Sequence, residues 1–188
     1  LVDRLDAANA SFVSVTQAFN TATSMGRLTL NVLLSFAQFE REVTAERIRD
    51  KIAASKKKGM WMGGMVPLGY NAGGRTLEIN VGEAETVRTL FELYHKYGTV
   101  REVACQAAKL GLRSKKRESA KGVLYGDINM DRGHIHHILT NPIYAGRIRH
   151  RDKAYEGLHE AIIEPAVWDN VQAKLQEKAA HRRGEGSR

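Results

Sequence analysis

Apolar positions recur along most of this chain with the period of α-helices, and the breaks in that period mark its joints. Leu1, Val2, Leu5 and Ala8 fall on one helical face, which Asn9 stops. "SFVSV" (11–15) follows, short and rich in Val and Phe, as a buried parallel strand is. The longest pattern comes next. From 27 to 58 no Pro or interior Gly interrupts it, and Ser24 is placed as its N-cap. A helix of that length extends roughly 50 Å, more than the width of a small domain. Between 28 and 39 it is apolar nearly all round, through Leu28, Leu30, Val32, Leu33, Leu34, Phe36, Ala37 and Phe39. Such a helix needs cover on more than one face. From Glu40 onward only a narrow stripe of Val43, Ile48 and Ile52 survives among charges, so this end is expected to project into solvent or along a charged ligand.

Further on, 83–97 places Val87, Leu90, Phe91 and Tyr94 on one side, and Gly98 ends it. Thr99 caps a helix over 99–110 with Val103, Ala104, Ala107 and Leu110 inward and Gly111 as its stop. After a basic loop, a short helix over 131–139 turns Ile135, Ile138 and Leu139 inward and Arg132, His134, His136 and His137 outward. Asp131 is its cap, and Asn141 with Pro142 terminates it. Segments 143–151 and 154–163 alternate as two strands of a hairpin around Asp152 and Lys153. Pro165 opens a last amphipathic helix with Val167, Trp168, Val171 and Leu175, and 181–188 reads as a disordered tail.

Charge sharpens this picture. Among 188 residues, 29 Lys and Arg stand against 21 Asp and Glu, for a formal charge of +8. That excess favours a polyanionic partner, nucleic acid first and an acidic membrane surface second. It is clustered: Lys56, Lys57 and Lys58; Arg113, Lys115, Lys116, Arg117 and Lys121; Arg147, Arg149 and Arg151. The single cysteine, Cys105, excludes a disulfide framework and a Cys-based zinc site, and its alanine neighbours describe a packed, inert thiol. No run of about 18 apolar residues is present to span a membrane.

Helices 99–110 and 131–139 form a helix-turn-helix-like pair, although the connection is longer than a tight turn. The outward face of the second suits a major groove, where Arg and His donate to guanine O6 and N7; any three-helix bundle carries similar stripes. The segment "SKKKGMWMGGMVPLGY" (55–70) is basic and glycine-broken. Gly63 and Gly64 would let backbone approach the sugars of a minor groove while the lysines neutralise phosphates; a flexible linker is the plainer account. His134, His136 and His137 lack the Cys or paired carboxylate that would complete a metal site.

Several ordered motifs together resemble the serine site-specific recombinases. "TATSMGRLTLNVLLSFAQFEREVTAERIRDKI" is similar to the end of their resolvase/invertase-type catalytic domain, where the long helix begins. "GGMVPLGY" resembles the linker into the recombinase domain of the large members. "HIHHILTNPIYAGRI" resembles that domain's recognition helix and the turn beyond it, and "HEAIIEPAVWDNVQAKL" its end. In that family a serine attacks a DNA phosphate to form a covalent phosphoserine link, and arginines stabilise the transferring group without metal or nucleotide. The resemblance implies that the nucleophile and the D-R-L-x-R element lie upstream of Leu1; the chain starts without Met inside a helical pattern, as a fragment would. Asp3, Arg4 and Leu5 mimic that element but lack its second arginine, and Ser11, Ser14, Ser24 and Ser35 do not stand at the nucleophile's motif. Arg47 matches the arginine that the family keeps near its active site. Met25, Gly26 and Arg27 match the start of the oligomerisation helix, whose face here is Met25, Leu28, Val32, Phe36 and Phe39.

The expectation is therefore an α+β, mostly helical protein: the end of a catalytic domain with its long helix (1–58), a linker (59–70), a DNA-binding recombinase domain with a β-hairpin (71–180) and a tail (181–188). Its expected partners are attachment-site double-stranded DNA and a second copy of itself, with no cofactor, metal, membrane or small-molecule substrate, in a bacterial or mobile-element-encoded cytoplasmic protein. Arg132, His134, His136, His137 and Thr140 are expected to face bases. Lys56, Lys57, Lys58, Arg113, Lys115, Lys116, Arg147 and Arg149 are expected to face phosphates. A non-catalytic regulator with the same helix pair and an interaction protein that oligomerises through the long helix are the alternatives.

Overall fold

The computed structural model describes Ala8 and residues 23–185, with side chains to Ala180. The expected helix at the start of the chain and the strand at 11–15 lie outside the described residues. Two compact units, Leu1–Lys51 and Ile52–Arg188, divide the chain within its longest helix.

That helix, α1 (Ser24–Lys57), runs for 34 residues. Its cap is Thr23 and not Ser24: the Thr23 hydroxyl accepts from the Gly26 amide at 3.0 Å, and the Thr23 carbonyl starts the helical ladder at Arg27. Ser24 is already helical, and its Oγ lies 3.4 Å from an Arg27 guanidinium nitrogen. The other end closes on Gly59. Its amide bonds to the Lys56 carbonyl, and the Met60 amide reaches back to Ser55, the paired bonds of a Schellman motif. Gly59 has a φ of +75°, and an added Cβ would stand 2.3 Å from the Glu156 carbonyl oxygen, so only glycine fits.

In the second unit, a hairpin of β1 (Tyr70–Gly73) and β2 (Thr76–Ile79) precedes α2 (Val81–Tyr97). This hairpin is absent from the periodic reading because each strand has four residues. Asn80 caps α2 through the Glu83 amide, and Gly98 ends it in the left-handed conformation. Thr99 caps α3 (Val100–Lys109) through the Glu102 amide. A two-residue ribbon, β3 (Arg117–Glu118) with β4 (Leu124–Tyr125), leads to α4 (Arg132–Thr140). Then come a 3₁₀ turn (Pro142–Ala145), the hairpin of β5 (Arg147–His150) and β6 (Lys153–Glu156), and α5 (Pro165–Glu185). The helix thus continues into the expected tail, of which 186–188 lie outside the described residues.

The expected strands over 143–151 and 154–163 are shorter in the structure. Asn141 accepts from the Ile143 amide and Pro142 starts the 3₁₀ turn, which Gly146 ends at a φ of +72°. The apolar residues Ile162 and Ile163 belong to an irregular return, held by the Ile163 amide on the Tyr144 carbonyl.

One core joins these elements: Val87, Leu90, Phe91 and Tyr94 of α2, Val103 and Ala107 of α3, Ile135, Ile138 and Leu139 of α4, and Val171 of α5. Each such aliphatic side chain contributes about 1.5–3 kcal/mol by leaving water. Tyr70 lies at the centre, fully buried and stacked on Tyr144 at 6.1 Å, with its hydroxyl donating to the Glu160 carbonyl at 2.8 Å. Burial pushes the Tyr70 phenol above its ordinary range. Two inward expectations fail. Leu110 lies beyond the end of α3 and is 59% exposed, and Val167 on the first turn of α5 is 43% exposed. Cys105 likewise points outward and is an exposed thiol, because α3 buries only the Val103 and Ala107 side of its surface.

Candidate nucleic-acid interface

Asp131 fixes the start of α4 by accepting from the His134 amide at 2.7 Å. With Ile135, Ile138 and Leu139 buried, Arg132, Gly133, His134, His136 and His137 face solvent. The helical period sorts them further: Gly133, His137 and Thr140 lie opposite the buried stripe, Arg132 and His136 lie on one flank, and His134 on the other. Thr140 is half-buried, and its hydroxyl donates to the His136 carbonyl at 2.7 Å, leaving it oxygen lone pairs to offer a partner. Among the described residues no three His, Cys, Asp or Glu side chains are grouped to hold a metal.

The connection from α3 to α4 is a folded ribbon. Ser114 is buried, its amide donates to the Ile128 carbonyl, and its hydroxyl accepts from the Ile128 amide at 3.2 Å. Arg113 donates to the Asp127 carbonyl at 2.9 Å. At the tip, Val123, Leu124, Tyr125 and Ile128 are exposed, an apolar patch that the basic reading of this loop passes over.

The structure divides the expected cations into two sets. Lys115 belongs inside: its ammonium lies 2.5 Å from the Glu83 carboxylate and 2.8 Å from the Tyr70 carbonyl, with 11% of the side chain exposed. The same carboxylate oxygen accepts from the Gly69 amide at 3.0 Å, so this pair ties the linker, α2 and the ribbon together. Lys115 is therefore a fold residue rather than a phosphate contact. Arg117 donates to the Val66 carbonyl at 2.8 Å. Arg147 forms a two-pronged pair with Asp169, at 2.6 and 3.0 Å, and lies over the Trp168 ring at 5.5 Å. The hydrogen bond from Arg147 holds the Asp169 carboxyl below its ordinary range. Lys57, Lys58, Lys116 and Lys121 are exposed, Lys56 is half-buried, and none of them has a partner among the described residues. Arg149 is exposed, with its Nε donating to the Arg151 carbonyl at 3.2 Å.

The segment after α1 is anchored at both ends. The Trp61 amide donates to Arg75, the Gly59 carbonyl accepts from Leu158, and Leu68, Gly69 and Tyr70 are buried. Only 62–65 is exposed. Gly63 and Gly64 there adopt φ of +87° and +105°, with nothing within 4 Å of an added Cβ, so their glycine character serves the backbone path and leaves room beside it.

In the other unit, α1 leaves Met25, Leu28, Val32, Phe36 and Phe39 exposed; the last three line a groove with Asn31 and Ser35. Arg47 is exposed, and no described group stands against it.

Sequence reasoning misses Arg101 of α3 and Lys178 of α5, which line one cleft with Arg132, Gly133 and His136. They are isolated residues from distant parts of the chain, and no local pattern brings them together.

Two family models match the chain: Resolvase, N terminal domain, over 1–61, and Recombinase over 82–178. DNA-invertase hin of Salmonella typhimurium is 32% identical over 95 residues, which cover 50% of this chain and 44% of that protein. Integrase-like protein y4lS of Sinorhizobium fredii is 38% identical over 63 residues, 34% of either chain. The chain thus spans less than half the length of these relatives. A solved structure described as the crystal structure of an LSR–DNA complex superposes with a TM-score of 0.57 at 20% identity, covering 72% of this chain and 42% of that one. Another, described by the sequence requirements of the Listeria innocua prophage attP site, gives the same TM-score and identity over 69% and 51%. The two likenesses show an α+β fold of that kind. With the Recombinase model covering just over half of its residues, the chain belongs to the serine recombinase family.

Proposed function

We propose that this chain supplies the attachment-site recognition of a serine recombinase acting in site-specific DNA recombination. The observation that carries this reading is α4: a capped helix packed on α3, with its apolar stripe buried and Gly133, His137 and Thr140 presented outward beside further basic groups. An α-helix of this kind fits a major groove and reads base edges there. The relatives named as a DNA-invertase and an integrase-like protein, and the neighbour named as an LSR–DNA complex, support the same partner.

Lys56, Lys57, Lys58, Lys116, Lys121 and Arg149 are the cations left for phosphates, while 62–65, with Gly63 and Gly64, lies along the minor groove. Lys115 and Arg147 have no place in that set. The exposed face of α1 packs against a second copy, and Arg47 serves the reacting phosphate only within such an assembly. No helix among the described residues is long and apolar enough to cross a membrane.

The test is selection of bound duplexes from a randomised pool at moderate salt. An enriched element well over ten base pairs long is the expected outcome, a length that one helix and an adjoining groove segment occupy together. Enrichment of nothing, with binding abolished by added salt, would sink the reading and leave only a nonspecific charged surface.

A further inference from the structure

On one flank of α4 the structure forms a cleft of about 390 Å³ whose lining includes Arg101, Arg132, His136 and Lys178. Three helices supply these four basic groups. Arg101 stands in the first turn of α3, Arg132 and His136 stand one turn apart on α4, and Lys178 reaches in from α5 to donate to the Gly98 carbonyl. No carboxylate lines the cleft. The acidic residues at the same helix starts are engaged: Glu102 accepts from Gln106 at 2.8 Å, and Asp131 accepts from the His134 amide. Arg101, Arg132 and the His136 ring have no partner among the described residues. The cleft also adjoins the first turns of two helices, where backbone dipoles favour an anion.

The cleft lining also includes one buried phenol. Tyr94, only 1% exposed, is among the lining residues, and its hydroxyl has no hydrogen-bond partner. A buried phenolic O–H without an acceptor is unfavourable.

We infer that this cleft binds one phosphodiester of the DNA backbone and so sets the depth and register of α4 in its groove. This rests on the reading that α4 enters DNA. A helix lying in a major groove is flanked by phosphates, which position it, while its central face meets the bases. Arg132 and His136 lie on the cleft flank, whereas Gly133, His137 and Thr140 lie opposite the core. The division assigns positioning to the first pair and reading to the central face. Gly133 fits the same geometry. Its added Cβ would meet nothing closer than the Asp131 side-chain oxygen at 3.4 Å, so the fold does not require glycine there, whereas a nearby phosphate or base would.

The experiment uses the whole chain with a duplex enriched by selection, and compares it with Arg101→Ala, Lys178→Ala and the double variant. Each single change is expected to weaken binding about tenfold on selected and random duplexes alike, the scale of one charge-assisted contact. Base preference is expected to stay unchanged, as is the melting temperature of Arg101→Ala, while Lys178→Ala also loses its bond to the Gly98 carbonyl and is expected to melt slightly lower. Duplexes with single methylphosphonate linkages supply the second arm: one position should weaken wild type and leave the double variant indifferent. Wild-type binding by both single variants, on a duplex that wild type still selects, overturns the cleft assignment and spares the DNA reading. Inorganic phosphate that shifts the Thr99, Val100 and Gly133 amide resonances, without any methylphosphonate-sensitive position, assigns the cleft to a free phosphate and overturns the backbone site. A wild-type chain that enriches no duplex removes the DNA reading and this site with it.

Discussion

On α4, Ile135, Ile138 and Leu139 are each 5% exposed or less, whereas on α1 Leu28, Val32, Phe36 and Phe39 each leave more than half of their surface in solvent. Both helices carry enough apolar residues to need cover. α4 receives it from α2, α3 and α5, which place their own stripes against it. α1 presents apolar residues on several sides, and the described residues of its unit leave them bare. The unit from Ile52 onward thus holds its stability in its own core, while the front of α1 leaves its apolar surface exposed among the described residues. Large exposed apolar patches on soluble proteins mark interaction surfaces.

The largest expected effects test that contrast directly. Leu139→Ala should lower the stability of the second unit by about 2–5 kcal/mol, the range for deleting a buried leucine, and its melting transition should fall accordingly. Phe36→Ala should leave the same transition in place and shift sedimentation toward monomer. An equal loss of melting temperature in both variants would mean that the α1 face contributes to the fold of the monomer, and the contrast would collapse.

A second contrast lies within one loop, where Lys115 and Lys116 are sequence neighbours with opposite surroundings. Lys115→Met removes the partner of a largely enclosed carboxylate, and partial exposure of Glu83 moderates the penalty to about 2 kcal/mol. Urea unfolding of this variant should show an earlier midpoint with an unchanged slope. The double variant Lys115→Met with Glu83→Gln should recover part of the loss, because it no longer strands a charge. Failure of that recovery would show that the lysine acts through its packing and its bond to the Tyr70 carbonyl rather than through the ion pair.

These two cases also measure how far the chain could be read from its letters. Periodicity located α2, α3, α4 and α5, because each buries a stripe of its own sequence, and caps such as Thr99 and Asp131 satisfy only local amides. It failed where the deciding contact is distant. Gly59 is required by the Glu156 carbonyl, Lys115 is claimed by Glu83, and Arg147 is claimed by Asp169 and Trp168. Charge on a loop residue is visible in a sequence, but its counter-charge across the fold is not. The same limit hid the cleft, since Arg101, His136 and Lys178 become neighbours only through the packing of three helices. The outward face of α4 was legible, but its division into a central line and two flanks needed the buried stripe to be fixed first.

A smaller effect is expected at His159, which is 6% exposed and donates from Nε2 to the Ile143 carbonyl at 2.8 Å. Burial lowers its pKa from the ordinary 6.5. The folded chain therefore takes up this proton less readily than the unfolded one. As pH falls through 6.5, the unfolded state binds a proton that the folded state refuses, so stability drops until the folded pKa is reached, and the full contribution is present only above 6.5. Urea unfolding of wild type at pH 7.5 and 5.5 should show this loss. His159→Gln, which keeps a side-chain amide donor, should start less stable but respond less to acid. Parallel pH dependence in the two proteins would assign the loss to other groups.

The smallest expected effect is the mirror image of the Lys115 result. Lys116 is exposed and has no partner among the described residues, so Lys116→Met should leave the unfolding midpoint where it was. If its ammonium contacts a phosphate, the variant should instead lose affinity for every duplex to a similar degree. The slope of log K against log salt should become shallower by about one unit. Affinity at a single salt concentration cannot distinguish this from a lost base contact, whereas the slope can, because it counts released counterions. An unchanged slope with unchanged affinity would place Lys116 outside the interface, and the ribbon would then meet DNA through Lys121 or its apolar tip, or not at all.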